Sequence, residues 1–327
     1  MATRSTFLLL LLVGVSAIIS WLHQVGAVSS NVAELQRQRW RGKLPEVAIP
    51  QTLAARLSPL SLTELQSLAA GLKKIDAASF AAHKFCGAAG LICSEDVSFP
   101  ARAGSNFANP NAELGEIEEH VFFDKEELRE SGEMILPDLS PCKYLVSFLP
   151  SELAQMMPPF STANVSQILN LLNISSGSNL SRSMVSTLEM CEARGEEGEV
   201  HTCSTSVEGM VEFVVSRLGS DVDLFTDTSV VGSDQRVRVT KVSKRENMVG
   251  GKPPVTCHNF AFPYGVSYCH SIKGSEVFDL QLEVVQGNEK VRRNATAVCH
   301  YLSNGAGGNQ AACHPVFGEM LLWTPKA

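Results

Sequence analysis

Apolar residues recur at helical spacing in several stretches of this chain. Ser61 and Glu64 precede the first stretch at capping-box spacing, and Thr205 and Glu208 precede the last one, which Gly219 ends. Each stretch predicts an amphipathic helix. The periodic sets are Leu65, Leu68, Leu72 and Ile75; Val165, Ile168, Leu169 and Leu172; Leu180, Met184 and Leu188; and Met210, Phe213, Val214 and Leu218.

Later in the chain the apolar spacing changes from helical to alternating. Val237 and Val239 alternate with basic residues, which is typical of a half-buried strand. The same alternation is longest in a second segment, where Phe278, Leu280, Leu282 and Val284 are interleaved with Asp279, Gln281 and Glu283. Because helices come first and strands afterwards, we expect an α+β domain with an antiparallel sheet.

The first residues have the profile of a signal peptide. Arg4 precedes an apolar run from Phe7 to Ile19, and small residues lead up to a cleavage site near Ala27. A membrane anchor is the alternative, but Ser16 and Ser20 interrupt the run and leave it short for a span. We therefore expect a secreted protein that is free of the membrane after cleavage and that enters a compartment where disulfides persist.

The chain is predicted to have three parts. Residues 1–27 are the signal peptide, residues 28–119 form a variable N-terminal extension, and residues 120–327 form the main domain. The extension ends in a stretch from Pro100 to Glu119 that is rich in Gly, Asn, Pro and Glu. Such a composition cannot bury much surface, so this stretch is interpreted as a linker.

Charge and sequons refine the expected setting. The formal net charge is −7 and no basic stripe is visible in the sequence, so nucleic acid and anionic lipid are excluded as expected partners. N-glycosylation is predicted at four Asn-X-Ser/Thr sites, which agrees with secretion. These sites are Asn164, Asn173, Asn179 and Asn294.

Four Cys-His dipeptides are the strongest chemical signal. They are Cys257-His258, Cys269-His270, Cys299-His300 and Cys313-His314. Random placement of the nine cysteines and eight histidines would give roughly 0.2 such pairs. On a strand, adjacent side chains point to opposite faces, so the cysteines are expected to form disulfides on one face while the imidazoles converge on the other.

Converging neutral imidazoles suit copper or zinc, and His258, His270, His300 and His314 are the candidate ligands. A mixed Cys/His zinc site is an alternative, and so are structural cysteines whose histidine neighbours bind nothing. Among the other cysteines, Cys86 with Cys93 and Cys191 with Cys203 are close enough in sequence to pair. Cys142 remains without an assigned partner and is either buried and reduced or paired with another chain.

Across its last two hundred residues the sequence resembles the BURP family of plants. The resembling motifs are Phe122-Phe123 with Leu128 and Gly132; Phe148-Leu149-Pro150; Cys191-Glu192; Cys203 with Thr205-Ser206; Met210-Val211 with Phe213; Pro263-Tyr264 and Tyr268; the Cys-His series; and Trp323. Trp40 with Leu44-Pro45 resembles the motif that precedes the domain. One departure stands out: only twelve residues separate the last two Cys-His pairs. The family usually has more than twenty there, including a further His, so a strand or hairpin is expected to be missing.

The resemblance implies three functions. The leading one is a non-catalytic protein of plant development or stress response that is secreted to the apoplast or cell wall. Wall polysaccharide or wall proteins would be its partners. The second is a copper-dependent peptide cyclase that crosslinks its own core peptide, with the four histidines as copper ligands. No repeated core peptide ending in Trp or Tyr is visible in the extension. The third is a non-catalytic subunit of a pectin-degrading wall enzyme, although the glycine- and aromatic-rich repeats of that subfamily are absent from the sequence.

Overall fold

A computed structural model describes most of the chain. The described ranges are 31–73, 84–93, 123–136, 146–226, 235–245, 251–286, 289–303, 309–316 and 320–326. The predicted signal peptide, the linker, Cys142, Ile75 and Phe122 lie outside these ranges. Within them, no helix is both long and apolar enough to cross a membrane.

Helices occupy the first two thirds of the described chain, as the apolar periodicity predicts. They are α1 Val32–Lys43, α2 Gln51–Ala54, α3 Leu62–Lys73, α4 Lys84–Ala89, α5 Ser151–Ala154, α6 Val165–Leu171, α7 Asn179–Glu192 and α8 Val207–Leu218. The capping box of α3 is confirmed, because the Glu64 amide donates to Ser61 Oγ at 3.2 Å and the Ser61 amide donates to the Glu64 carboxylate at 2.7 Å. All four predicted helices are present.

Strands dominate the last third. They are β1 Phe123–Asp124, β2 Glu133–Leu136, β3 Glu199–Ser204, β4 Val222–Phe225, β5 Gln235–Lys244, β6 Val255–Phe260, β7 Val266–Ile272, β8 Glu276–Gln286, β9 Glu289–Ser303, β10 Asn309–Val316 and β11 Leu321–Pro325. The first sheet has the order β1-β10-β9-β8-β5-β2 and the second has the order β3-β7-β6-β11-β4. Every ladder between these strands is antiparallel, which confirms the α+β class.

A short segment of the chain crosses one face of the first sheet and connects its two edge strands. β1 and β2 are at opposite edges of the sheet, yet only residues 125–132 separate them in sequence. Leu128 of this segment is buried against the face that holds Val239, Leu280 and Cys299. The alternating apolar residues of β5 and β8 point to this face, so the predicted strand pattern is confirmed.

The second sheet packs against the helices, including those of the predicted extension. Trp40 of α1 and Trp323 of β11 are both buried, with ring centroids 5.6 Å apart. The Arg56 guanidinium, also from the extension, donates to the Val146 carbonyl at 3.0 Å. The described part of the extension therefore shares a core with the residues of the main domain.

The start of α8 differs from the sequence prediction by one residue. Ser206, rather than Thr205, is the N-cap, and its hydroxyl accepts a hydrogen bond from the Gly209 amide at 3.1 Å. Thr205 is instead held by its carbonyl, which accepts from the Leu149 amide. The prediction failed because both residues are good caps, and the tertiary contact with Leu149 decides between them.

The assignment of Ser206 as the N-cap of α8 can be tested by removing its hydroxyl. We expect Ser206→Ala to lower the free energy of unfolding by about 1 kcal/mol, because the Gly209 amide loses its acceptor. Thr205→Ala should change it by less than about 0.5 kcal/mol. Urea unfolding of both variants measures the difference, and an equal or larger effect of Thr205→Ala would contradict the assignment.

Candidate metal centre

The four dipeptide cysteines pair across neighbouring strands. Cys257 of β6 is directly opposite Cys269 of β7, and Cys299 of β9 is directly opposite Cys313 of β10. Their Cα atoms are 4.0 Å and 3.9 Å apart, and each pair is joined as a disulfide. Each disulfide therefore fixes the register of two strands at the position that also carries the histidines.

The remaining pairs are Cys86 with Cys93 and Cys191 with Cys203, as the sequence predicts. Each pair has a Cα–Cα distance of 5.8 Å and forms a disulfide. The second one joins the end of α7 to β3. All eight candidate cysteines are thus paired in the structure.

The four dipeptide histidines meet between the two sheets. His258 and His270 come from the second sheet, and His300 and His314 come from the first. Nε2 of His258 lies 3.1 Å from Nε2 of His270, and Nε2 of His300 lies 3.3 Å from Nε2 of His314. Ring centroids separated by 4.9 Å to 5.3 Å connect the four into a closed group, which we call the histidine quartet. None of the four quartet residues is more than 9% exposed.

Glu199 of β3 holds the His270 ring in place. Its carboxylate accepts from Nδ1 of His270 at 2.9 Å and from the Tyr268 hydroxyl at 2.8 Å. Burial opposes ionisation of Glu199, but the hydrogen bonds from His270, the Glu196 amide and Tyr268 outweigh it and lower the pKa of this carboxyl to about 2. An ionised carboxylate only accepts, so Nδ1 of His270 is the donor in this contact and Nε2 of the same ring faces the quartet.

Polar partners hold two more rings of the quartet. The Ser275 hydroxyl lies 2.9 Å from the Ile272 carbonyl and 2.8 Å from Nδ1 of His300. Nδ1 of His314 faces the Pro315 carbonyl at 3.3 Å, and a carbonyl only accepts. The Nε2 atoms of His300 and His314 are 3.3 Å apart, so they can share one proton or one cation.

Protonation of His258, His300 and His314 is disfavoured. Burial, reinforced by the neighbouring imidazoles, lowers the pKa of His258 and His300 well below the ordinary histidine value. Burial also lowers the pKa of His314 to about 4, although the Pro315 carbonyl acts in the opposite direction. His258, His300 and His314 are consequently neutral at neutral pH, which is the protonation state that a metal ion requires.

The residues fit a metal ion by their donor chemistry. Two ligands about 2.0 Å from one ion are separated by roughly 3 Å, and the two closest Nε2 pairs have this spacing. Outer hydrogen bonds from Nδ1 to a carboxylate, a hydroxyl and a carbonyl are the usual support of metal-binding imidazoles. Even so, among the described residues no three or more His, Cys, Asp or Glu side chains are already gathered in a form that would hold an ion outright. The quartet is arranged as two close pairs facing each other.

The supporting residues were missed by sequence reasoning. Glu199 and Ser275 are 71 and 25 positions away from the histidines they contact, and neither stands in a motif with them. Tyr268, two residues before His270, belongs to the family resemblance but carried no assigned role. The predicted glycosylation sites all lie on described elements: Asn173, Asn179 and Asn294 are exposed, and Asn164 is half-buried.

Comparison with known proteins agrees with this architecture. The BURP domain family model matches residues 121–325, and the chain belongs to this family. BURP domain-containing protein 16 of rice is 26% identical over 354 aligned positions, which cover 99% of this chain and 98% of that protein. The tomato protein named polygalacturonase-1 non-catalytic subunit beta is 28% identical over 63% of this chain. Polygalacturonase 1 beta-like protein 2 of Arabidopsis is 29% identical, also over 63%. The alignments cover only about a third of these two proteins, 34% and 35%.

Proposed function

We propose that this chain is a secreted, non-catalytic protein of the plant cell wall in which the histidine quartet binds a structural metal ion, copper or zinc. The observation that carries the proposal is the burial of the quartet between the two sheets. His258 and His270 would hold the ion from one sheet, and His300 and His314 from the other. The bound ion would crosslink the sheets. Development and stress response are the settings that the family resemblance suggests.

Burial of the quartet also argues against the alternative function, a copper-dependent peptide cyclase. A catalytic metal keeps an open coordination position that a substrate can reach. A Trp or Tyr side chain of a core peptide would have to reach the quartet, whose four residues are at most 9% exposed. His300 is additionally flanked by the Cys299–Cys313 disulfide, which ties its strand to β10. This environment favours a structural role over a catalytic one.

A second candidate function is that of a non-catalytic subunit of a pectin-degrading enzyme. Relatives named as polygalacturonase non-catalytic subunits support it, and their similarity covers 63% of this chain. Co-purification of the secreted chain with a polygalacturonase from wall extracts would test it. Wall polysaccharide and other wall proteins are the further partners that we propose.

Metal analysis of the purified secreted protein tests the main proposal. We expect stoichiometric copper or zinc at neutral pH, and we expect His270→Ala and His314→Ala to reduce it at least tenfold. His201→Ala is the matched control, because this ring stacks on Tyr268 but is not part of the quartet. Saturating metal at a hundred times its Kd should add about 3 kcal/mol to the free energy of unfolding.

Two results would contradict the proposal. Equal metal content in the quartet variants and the His201 control would place the ion elsewhere. An intramolecular loss of two hydrogens after incubation with copper, detected by mass spectrometry, would show catalysis and favour the cyclase. Secretion is tested separately by the N-terminal sequence of the mature chain, which should begin near residue 28.

A further inference from the structure

A polar cleft of about 490 Å³ lies between the end of β4 and the first sheet. It is on the face of that sheet opposite to the one that Leu128 covers. The strand register places two consecutive rows of polar side chains on this face. One row is Lys241, Gln281 and Asn294, and the next is Ser243, Asp279 and Thr296. All six line the cleft.

The cleft is separate from the histidine quartet. The next row of the same face contains Val277 and Val298, which pack with Met320 and Leu322 into an apolar cluster. His314 is opposite Val298 in the register and so belongs to this next row. None of the four quartet histidines lines the cleft, so the two sites are formed by different residues.

The cleft carries positive charge in an acidic protein. Arg245 donates to both carboxylate oxygens of Asp279 at 2.6 Å to 3.0 Å, and its guanidinium lies 3.9 Å from the Phe225 ring centroid. Lys241 is exposed and makes no salt bridge with any residue in the described ranges. One row further out, Arg292 is exposed and lies opposite Glu283, whose pKa its charge helps to lower. Lys241 therefore remains available to a ligand, and Arg292 is shared with Glu283, on a chain whose net charge is −7.

This arrangement was invisible in the sequence, which shows no basic stripe. Lys241 is on β5 and Arg292 is on β9, and β8 lies between them in the sheet. A β-bulge between Val239 and Lys241 turns Lys241 to the same face as Arg238. The fold, rather than the order of residues, therefore gathers the positive charge.

We propose that this cleft binds an acidic oligosaccharide, a chain of uronate sugars. The amides of Gln281 and Asn294 and the hydroxyls of Ser243 and Thr296 can each donate and accept, as sugar hydroxyls do. Lys241 supplies the charge that a uronate carboxylate needs. The inference deepens the proposed wall function by naming a ligand class for it. A glycan on Asn294 would begin inside the cleft and would compete with this ligand for the same space.

Binding of a galacturonate hexamer, measured by calorimetry before and after enzymatic deglycosylation, tests the proposal. We expect Lys241→Gln to weaken binding about threefold and Lys241→Gln with Arg292→Gln about tenfold. Lys273→Gln is the matched control, since this exposed lysine is on the β7–β8 turn, and it should leave binding unchanged. Stronger binding after deglycosylation would identify the Asn294 glycan as a competing occupant, and equal binding would leave the free acid as the ligand.

Four outcomes overturn the inference. The first three are no binding by the deglycosylated protein at millimolar hexamer, equal binding of a neutral glucose hexamer, and equal loss in the Lys273 control. Competition by a polyglutamate peptide as strong as that of the hexamer would show charge attraction without sugar recognition, and would also overturn it. Metal content is measured on the same preparations, so failure of the cleft and failure of the metal centre are distinguishable.

Discussion

Lowering the pH from 7 to 4.5 is expected to destabilise the metal-free protein by about 2 to 3 kcal/mol through His314 alone. The folded state holds the pKa of this buried imidazole at about 4, whereas an unfolded chain has the ordinary value near 6.5. Between these values the unfolded state binds the proton and the folded state does not. Stability is therefore complete above pH 6.5 and is lost progressively as the pH falls toward 4.

Urea unfolding at both pH values, after removal of metal by a chelator, measures this loss. His314→Gln should reduce the difference between the two pH values by about 2 kcal/mol, whatever its effect at pH 7, because the titrating group is gone. His201→Gln is the matched control and should retain the full difference. The pKa of Glu199 is about 2, so its protonation affects stability only at lower pH. An unchanged difference in His314→Gln would contradict a buried neutral ring.

The same burial accounts for both proposed properties of the quartet. Exclusion of water keeps His258, His300 and His314 neutral, which prepares them as ligands, and it also removes the access that catalysis on a peptide requires. Glu199 adds a fixed negative charge beside His270, where it would partly offset the charge of a bound ion. A structural ion between the two sheets is consistent with the neutral imidazoles, with their lack of access to a substrate and with the charge of Glu199.

The sequence predicted the part of this site that depends on strand alternation. Because neighbours on a strand point to opposite faces, each Cys-His dipeptide had to separate its disulfide face from its imidazole face. The pairing of Cys257 with Cys269 and of Cys299 with Cys313 did not follow from the sequence. It depends on which strands are adjacent, and that is decided by the register of the whole sheet.

Long-range packing accounts for what the sequence did not predict. Glu199 reaches the quartet only because β3 pairs with β7, which places this carboxylate beside His270. The start of α8 was misplaced by one residue for a related reason, since the contact between Leu149 and Thr205 is not visible in local capping rules. The tryptophan of the pre-domain motif, Trp40, likewise gave no sign of its partner on the last strand.

The pair formed by Trp40 and Trp323 leads to the largest stability effect that we expect. Trp323 is fully buried on β11, between β4 and β6, and Trp40 covers it from α1. Trp323→Ala should lower the free energy of unfolding by about 3 to 5 kcal/mol, because the cavity lies where the helices meet the second sheet. That is a large share of the roughly 5 to 15 kcal/mol of a typical domain.

Phenylalanine variants distinguish packing from hydrogen bonding at the same place. Nε1 of Trp40 donates to the Val47 carbonyl at 2.7 Å, whereas Nε1 of Trp323 is buried without an acceptor in the described part of the chain. Trp40→Phe loses a hydrogen bond and leaves a carbonyl unpaired, but Trp323→Phe removes an unsatisfied donor. We therefore expect Trp40→Phe to be the more destabilising by about 1 kcal/mol, measured by urea unfolding. The opposite order would show that the indole of Trp323 has an acceptor or that ring size alone determines stability here.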